Sequence, residues 1–173
     1  MKNPVRKAFG ADEQNAISKV VRHYAKSSED IPYFGKFEKK LIQNFTTYQG
    51  GGYAKAVSTG TASAFVSLQA LNLKKNSEII ISPFVDAGVL NSIIFLGLKA
   101  VICDTEKNSY NISLDQIKKK ITKKTKAVFL VHSAGEVVRD IINITNFLYK
   151  SKIFLIEDTS QCPGGSINGR KVG

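Results

Sequence analysis

Ala127-Val128-Phe129-Leu130-Val131, followed by His132-Ser133, and Ile153-Phe154-Leu155-Ile156, followed by Glu157-Asp158, each run without a polar break and then stop on polar side chains. A strand that shows one face to water alternates apolar with polar residues. One covered by helices on both faces does not, so both stretches read as buried parallel strands. Between them Ile141, Ile144 and Leu148 recur at helical spacing. Strand, amphipathic helix, strand is the repeating unit of an α/β sheet. The pattern extends backward through Ile79-Ile80-Ile81 and Ala100-Val101-Ile102-Cys103, and Leu114, Ile117 and Ile121 mark another helix, opened by Ser113 and Gln116 as a capping box. Ser82, Asp104 and Glu157-Asp158 stand at carboxyl ends of these runs, where open α/β sheets place their ligands.

Upstream, Ile17, Val20, Val21 and Tyr24 mark one helix and Phe37, Leu41, Phe45 and Tyr48 a second, which Gly50-Gly51-Gly52 ends. No repeat or low-complexity tract interrupts the chain, which therefore divides into a helical lead-in over 1–52 and an α/β unit over 53–173. With 173 residues, 43% hydrophobic and 23% charged, the chain is long enough for one good core, and collagen, disorder and a disulfide scaffold are excluded. No apolar run approaches the roughly 20 residues of a membrane span. Met1-Lys2-Asn3-Pro4-Val5-Arg6-Lys7 has no apolar stretch behind its charges, so a soluble, cytoplasmic protein is expected.

The net charge of +11 and a pI near 9.7 raise nucleic acid as a partner. The distribution argues against it. Lys118, Lys119, Lys120, Lys123, Lys124 and Lys126 crowd one helix end and the turn after it, where cations complement the dipole, and no aromatic residues interleave with them. Cys103 and Cys162 lie far apart without C-x-x-C spacing, so reduced thiols are expected and neither zinc nor a redox motif is. His132, at a strand end, could line a site; His23 reads as a surface residue. Neither has a partner at metal-ligand spacing.

Two segments carry chemistry. Ala54-Lys55-Ala56-Val57-Ser58-Thr59-Gly60-Thr61-Ala62-Ser63-Ala64 reads as a short strand passing through a glycine into a helix that carries Phe65, Leu68 and Leu71. The helix start offers free N–H groups and the positive dipole end to an anion, with phosphate the natural guest. It is neither a Walker loop nor a G-x-G-x-x-G turn, and plain capping chemistry of the Ser58-Thr59-Gly60-Thr61 turn is the alternative. In Ile153-Phe154-Leu155-Ile156-Glu157-Asp158-Thr159-Ser160-Gln161, a strand delivers a carboxylate able to hold a protonated heteroaromatic nitrogen, with an amide nearby for a phenolic oxygen. Asp158 as a helix cap is the alternative there.

These segments, in order, resemble a known family. Gly51-Gly52-Tyr53-Ala54 through Ala64, Asn91-Ser92-Ile93-Ile94-Phe95-Leu96-Gly97, Asp104 with Tyr110-Asn111-Ile112, Ile121-Thr122 with Thr125-Lys126-Ala127, Val131-His132 with Gly135, Ile156-Glu157-Asp158 with Gln161, and Gly169-Arg170-Lys171-Val172-Gly173 look like the DegT/DnrJ/StrS family of pyridoxal-phosphate sugar aminotransferases. The resemblance implies the large domain of a fold type I transferase, a mostly parallel sheet with helices on both faces, incomplete at its C-terminus. It implies that Gly60, Thr61 and Ala62 hold the cofactor phosphate, that Asp158 pairs with the pyridine nitrogen, and that Gln161 contacts the ring hydroxyl. Asp86, in Ser82-Pro83-Phe84-Val85-Asp86-Ala87-Gly88, stands where most relatives place an aromatic ring against the cofactor, and joins the cofactor-binding set.

The family's Schiff-base lysine lies beyond the Gly169–Gly173 segment, and no lysine here stands in a matching context. The expectation is therefore an N-terminal portion, truncated or one half of a split enzyme, inactive alone. Its complete form would use a keto sugar nucleotide and an amino-acid amino donor, as a homodimer, with a C-terminal chain complementing it. A noncatalytic cofactor- or sugar-nucleotide-binding remnant, or a regulatory partner, is the alternative. From the family's strand order, the strand before Gly60 is expected to be cut off from the others, separating the phosphate turn from Asp158 and leaving an exposed edge beside Ile153–Ile156.

Overall fold

The computed structural model describes residues 9–27 and 30–173. The chain divides into two compact units, with the boundary between Ala56 and Val57. The first holds helices α1 (Ala11–Ala25) and α2 (Lys36–Gln49). Glu13 reaches back to accept from the Gly10 N–H at 2.7 Å, and that bond lowers its carboxyl below the ordinary carboxylate value. α2 stops at Gly50, whose φ of +97° is the left-handed C-cap that glycine adopts without penalty. Tyr24 and Phe37 hold their rings 5.9 Å apart between the two helices. Neither helix has a buried residue, and Ile17, Val21, Leu41, Phe45 and Tyr48 are exposed.

The second unit carries α3 (Gly60–Ala70), β1 (Glu78–Ile81), α4 (Ala87–Phe95), β2 (Lys99–Ile102), α5 (Leu114–Lys120), β3 (Thr125–Val131), α6 (Ile141–Lys150), β4 (Phe154–Asp158) and a hairpin of β5 (Ser166–Ile167) and β6 (Arg170–Lys171). Its parallel sheet runs β2-β1-β3-β4. Because successive strand residues point to opposite faces, each run feeds two cores. Ile79, Ile81, Ala127, Phe129 and Val131 pack with Ala64 and Leu68 of α3 and Val89 and Ile93 of α4. Ile80, Val128 and Leu130 pack on the other face with Ile117 of α5 and Ile141, Ile144 and Leu148 of α6. Expected strands, helices and double coverage are thus present at β1 and β3, whereas β2 and β4 are half-exposed edges.

From β1 the chain steps to one neighbour, β2, and from β3 to the other, β4, so the strand order reverses between β1 and β3. Loops leaving those adjacent strands diverge there and open a crevice at the carboxyl ends. The short strand expected over Ala54–Ser58 is not formed. A strand exists through its ladder, and the described sheet offers this segment no partner. Among the described residues, no helix is long and apolar enough to cross a membrane, and no group of three His, Cys, Asp or Glu is placed to hold a metal.

Candidate functional site

Thr59 caps α3 by accepting from the Ala62 N–H at 3.0 Å. The amide protons of Gly60 and Thr61, in the first turn, have no intrahelical acceptor. A Cβ built on Gly60 meets nothing within 4 Å, so the space beyond the helix end is open. α4 begins beside it. Asp86 caps α4 with a 2.7 Å bond from the Gly88 N–H, and a Cβ on Gly88 would collide with Thr61 Oγ1 and stand 2.8 Å from Asp86 Oδ1. Glycine at 88 is what lets the two helix starts approach.

At the far wall stands the end of β4. Leu155 packs with the core under α5 and α6, and Ile156 with the core under α3 and α4. Alternation therefore sends Glu157 to the α6 side and Asp158 to the α3 side. Asp158 Oδ1 accepts from the Ser160 N–H at 2.9 Å, so the cap-like bond and an inward-facing carboxylate coexist, with Oδ2 left over. Gln161 Oε1 accepts from the Ala134 N–H at 2.8 Å. Since a backbone N–H needs an oxygen there, the carboxamide nitrogen of Gln161 is left to donate elsewhere.

Gly60, Thr61, Asp86, Asp158 and Gln161 line one cavity of about 540 Å³, within the usual range for small-molecule sites. The expected separation of the phosphate turn from Asp158 is thereby corrected. α3 is anchored to the strands by its packing against α4 and the sheet, through Ala64 and Leu68, and needs no strand of its own to reach β4. Ala62 is absent from that lining, and its amide is held by Thr59. Ser63 and Ser67 are in it. Their i, i+4 spacing, with Gly60 three residues before Ser63, puts them on one helix face, a signal present in the sequence though not read from it. A second cavity of about 480 Å³, lined by Pro83, Phe84, Tyr110 and Ser133 among others, shares Asp86 and Gln161 with the first.

The arrangement can take an elongated ligand with an anion at one end and a cationic ring nitrogen at the other. Unpaired amides and the dipole of α3 suit the anion; the Asp158 carboxylate suits the nitrogen. Among the described residues, no lysine, arginine or histidine lines the first cavity. His132, a strand-end candidate to line a site, is entirely buried and is not among the residues lining this cavity, and His23 is exposed on α1.

The sequence profile of the DegT/DnrJ/EryC1/StrS aminotransferase family matches residues 11–173. The chain belongs to that family. It is similar to a GDP-perosamine synthase of Vibrio cholerae, 32% identical over 139 residues, a match that covers 80% of this chain and 38% of that relative. Among solved structures, the aminotransferase from Psychrobacter cryohalolentis superposes with a TM-score of 0.87 at 29% identity over 96% of this chain and 41% of its own. A GDP-4-keto-6-deoxy-D-mannose-3-dehydratase of E. coli with bound hydrated pyridoxal phosphate shares the fold, with a TM-score of 0.85 at 24% identity, covering 97% of this chain and 43% of its own. The chain thus spans about two fifths of the length of these relatives, and its sheet is part of the large domain of fold type I.

Proposed function

We propose that this chain is the cofactor-holding N-terminal part of a pyridoxal-phosphate aminotransferase acting on a keto sugar nucleotide, with an amino acid as nitrogen donor. The observation that carries it is the convergence of Gly60, Thr61, Asp158 and Gln161 on one cavity of this family's fold. The residues present fit the cofactor. The Gly60 and Thr61 amides would take its phosphate, Asp158 its pyridine nitrogen and the Gln161 carboxamide its ring hydroxyl, with Asp86 beside the ring. When bound, pyridoxal phosphate supplies an electron sink that stabilises negative charge on the substrate carbon. The chain's own residues bind and orient it, and Asp158 holds the proton on the ring nitrogen. Sugar nucleotide binding draws support from the relative named as a GDP-perosamine synthase.

Among the described residues no lysine lines the cavity, which supports the view that the amine for covalent attachment is supplied by another segment or a complementing chain. In this reading two complete copies form a homodimer, and the chain alone lacks transaminase activity. The test is to mix the purified chain with pyridoxal phosphate, reduce with borohydride and map modified lysines. Scattered low-level labelling is expected. One stoichiometric lysine accompanied by glutamate-dependent turnover would show that a resident lysine serves, and would overturn the reading. Cofactor binding with no covalent site in any complemented form would instead favour a noncatalytic holder.

A further inference from the structure

His132 is entirely buried, yet both ring nitrogens are engaged. Nδ1 accepts from the Val138 N–H at 3.0 Å, which leaves the ring hydrogen on Nε2, 3.0 Å from Glu157 Oε2. That same carboxylate oxygen accepts from the Gly173 N–H at 3.2 Å. The backbone N–H of His132 donates to the Asp158 carbonyl at 3.0 Å, the last rung between β3 and β4. One residue therefore grips two consecutive residues of β4, one through its backbone and the other through its side chain.

We propose that His132 is a positioning residue: by holding Glu157 on the α6 side of β4 it sets the aim of Asp158 into the cavity on the α3 side. In the described sheet β4 pairs with β3, and from that side His132 grips both Glu157 and Asp158. Glu157 and Asp158 leave the strand in opposite directions, and fixing one fixes the other. The Val138 bond closes the loop after β3, whose Ala134 N–H holds Gln161, so the same ring supports the second polar group of the cavity as well. The inference deepens the cofactor reading and rests on it for the identity of the ligand, while the positioning itself is a property of the chain without ligand.

Two variants separate the two ring contacts. In His132→Asn the carboxamide oxygen stands where Nδ1 was, keeping Val138 and losing Glu157; in His132→Gln the carboxamide nitrogen stands where Nε2 was, keeping Glu157 and losing Val138. Amide hydrogen exchange on the ligand-free chain should show the Ser160 N–H, bonded to Asp158, exchanging about tenfold faster in His132→Asn and unchanged in His132→Gln. The Val138 N–H should show the reverse, and the Ala62 N–H of α3 should not change in either. Pyridoxal phosphate should bind about tenfold more weakly to His132→Asn, with inorganic phosphate affinity unchanged, and cofactor affinity should be partly restored in His132→Gln, which keeps the grip on Glu157 but lacks the Val138 bond that steadies Gln161. Should the Asn variant fail to fold, Glu157→Ala removes the same bond from its half-buried side and must speed exchange at Ser160. Unchanged Ser160 exchange in His132→Asn or, where that variant does not fold, in Glu157→Ala overturns the proposal, as does equal weakening of phosphate and cofactor, the mark of general loosening. The expected exchange pattern with no pyridoxal phosphate bound by the unaltered chain supports the positioning role and overturns the cofactor reading.

Discussion

Glu157 and Asp158 are adjacent carboxylates of one strand with different tasks. The Glu157 carboxylate bonds His132, whereas alternation turns Asp158 toward the α3 side of the cavity that both residues border. Asp158→Asn removes the charge that holds a protonated ring nitrogen. In the complete enzyme, turnover should fall by about a hundredfold or more. Glu157→Gln keeps an oxygen for the His132 Nε2–H and should be mild. Steady-state kinetics of the two variants check this, and the reverse ranking would count against the assignment of Asp158. Elsewhere burial pushes the Cys103 thiol up to about 11, an effect that nearby Lys120 partly offsets. An unfolded thiol ionises near 8.5. The unfolded chain therefore loses its proton first as pH rises, and the stability that the neutral thiol contributes is intact below about 8.5 and declines toward 11. Denaturant midpoints measured across this window should fall, and Cys103→Ala should flatten that portion of the slope.

Among the elements, the meeting of α3 and α4 governs the geometry of the phosphate turn. Gly88→Ala places a methyl group against Thr61 Oγ1 and Asp86 Oδ1, inside contact distance. The expected cost is about 1–3 kcal/mol of stability, as for overpacking generally, together with weaker anion binding because Thr61 must move. Thermal unfolding and phosphate titration of that variant measure the two effects. The same pair of helices shows what was legible in the sequence. α3 was read from its cap and from Phe65, Leu68 and Leu71. α4 was not read as a helix, because Val89, Leu90, Ile93, Ile94 and Phe95 leave it little polar face, and only the fold decides that Val89 and Ile93 are buried while Ile94 and Phe95 are exposed. The β strands were legible because burial on both faces leaves a continuous apolar run. Ala54–Ser58 misled, since a strand-like composition says nothing about whether a ladder partner exists. The hairpin of β5 and β6 is too short for periodicity, and its sign is the Asn168-Gly169 turn, both residues at positive φ.

For the whole second unit, the sequence named most of the groups that meet, while their meeting is a fact of topology. Gly60, Thr61, Asp158 and Gln161 could be singled out because each ends or begins an element. That they share a cavity depends on α3 lying on the α4 face of the sheet, the face toward which Asp158 alternates. Ser63 and Ser67 were missed because two serines on a helix are unremarkable until the opposite wall is known. His132 was noticed as a strand end, but its bonds to Glu157 and Val138 join segments that only the folded chain brings together. The exposed edge expected beside Ile153–Ile156 corresponds to β4, with Phe154 half-exposed at the margin of the described sheet.

The α3 start is proposed as the phosphate end of a pyridoxal-phosphate site, and Gly60 allows a clean test because a Cβ built there meets nothing within 4 Å. Fluorescence titration of the chain and of Gly60→Phe with pyridoxal phosphate, alongside their thermal unfolding, is the most direct measurement. Saturable binding to the unaltered chain is expected, with loss of that binding in Gly60→Phe and the unfolding temperature little changed. Equal affinity in the two proteins would place the phosphate elsewhere and contradict that assignment.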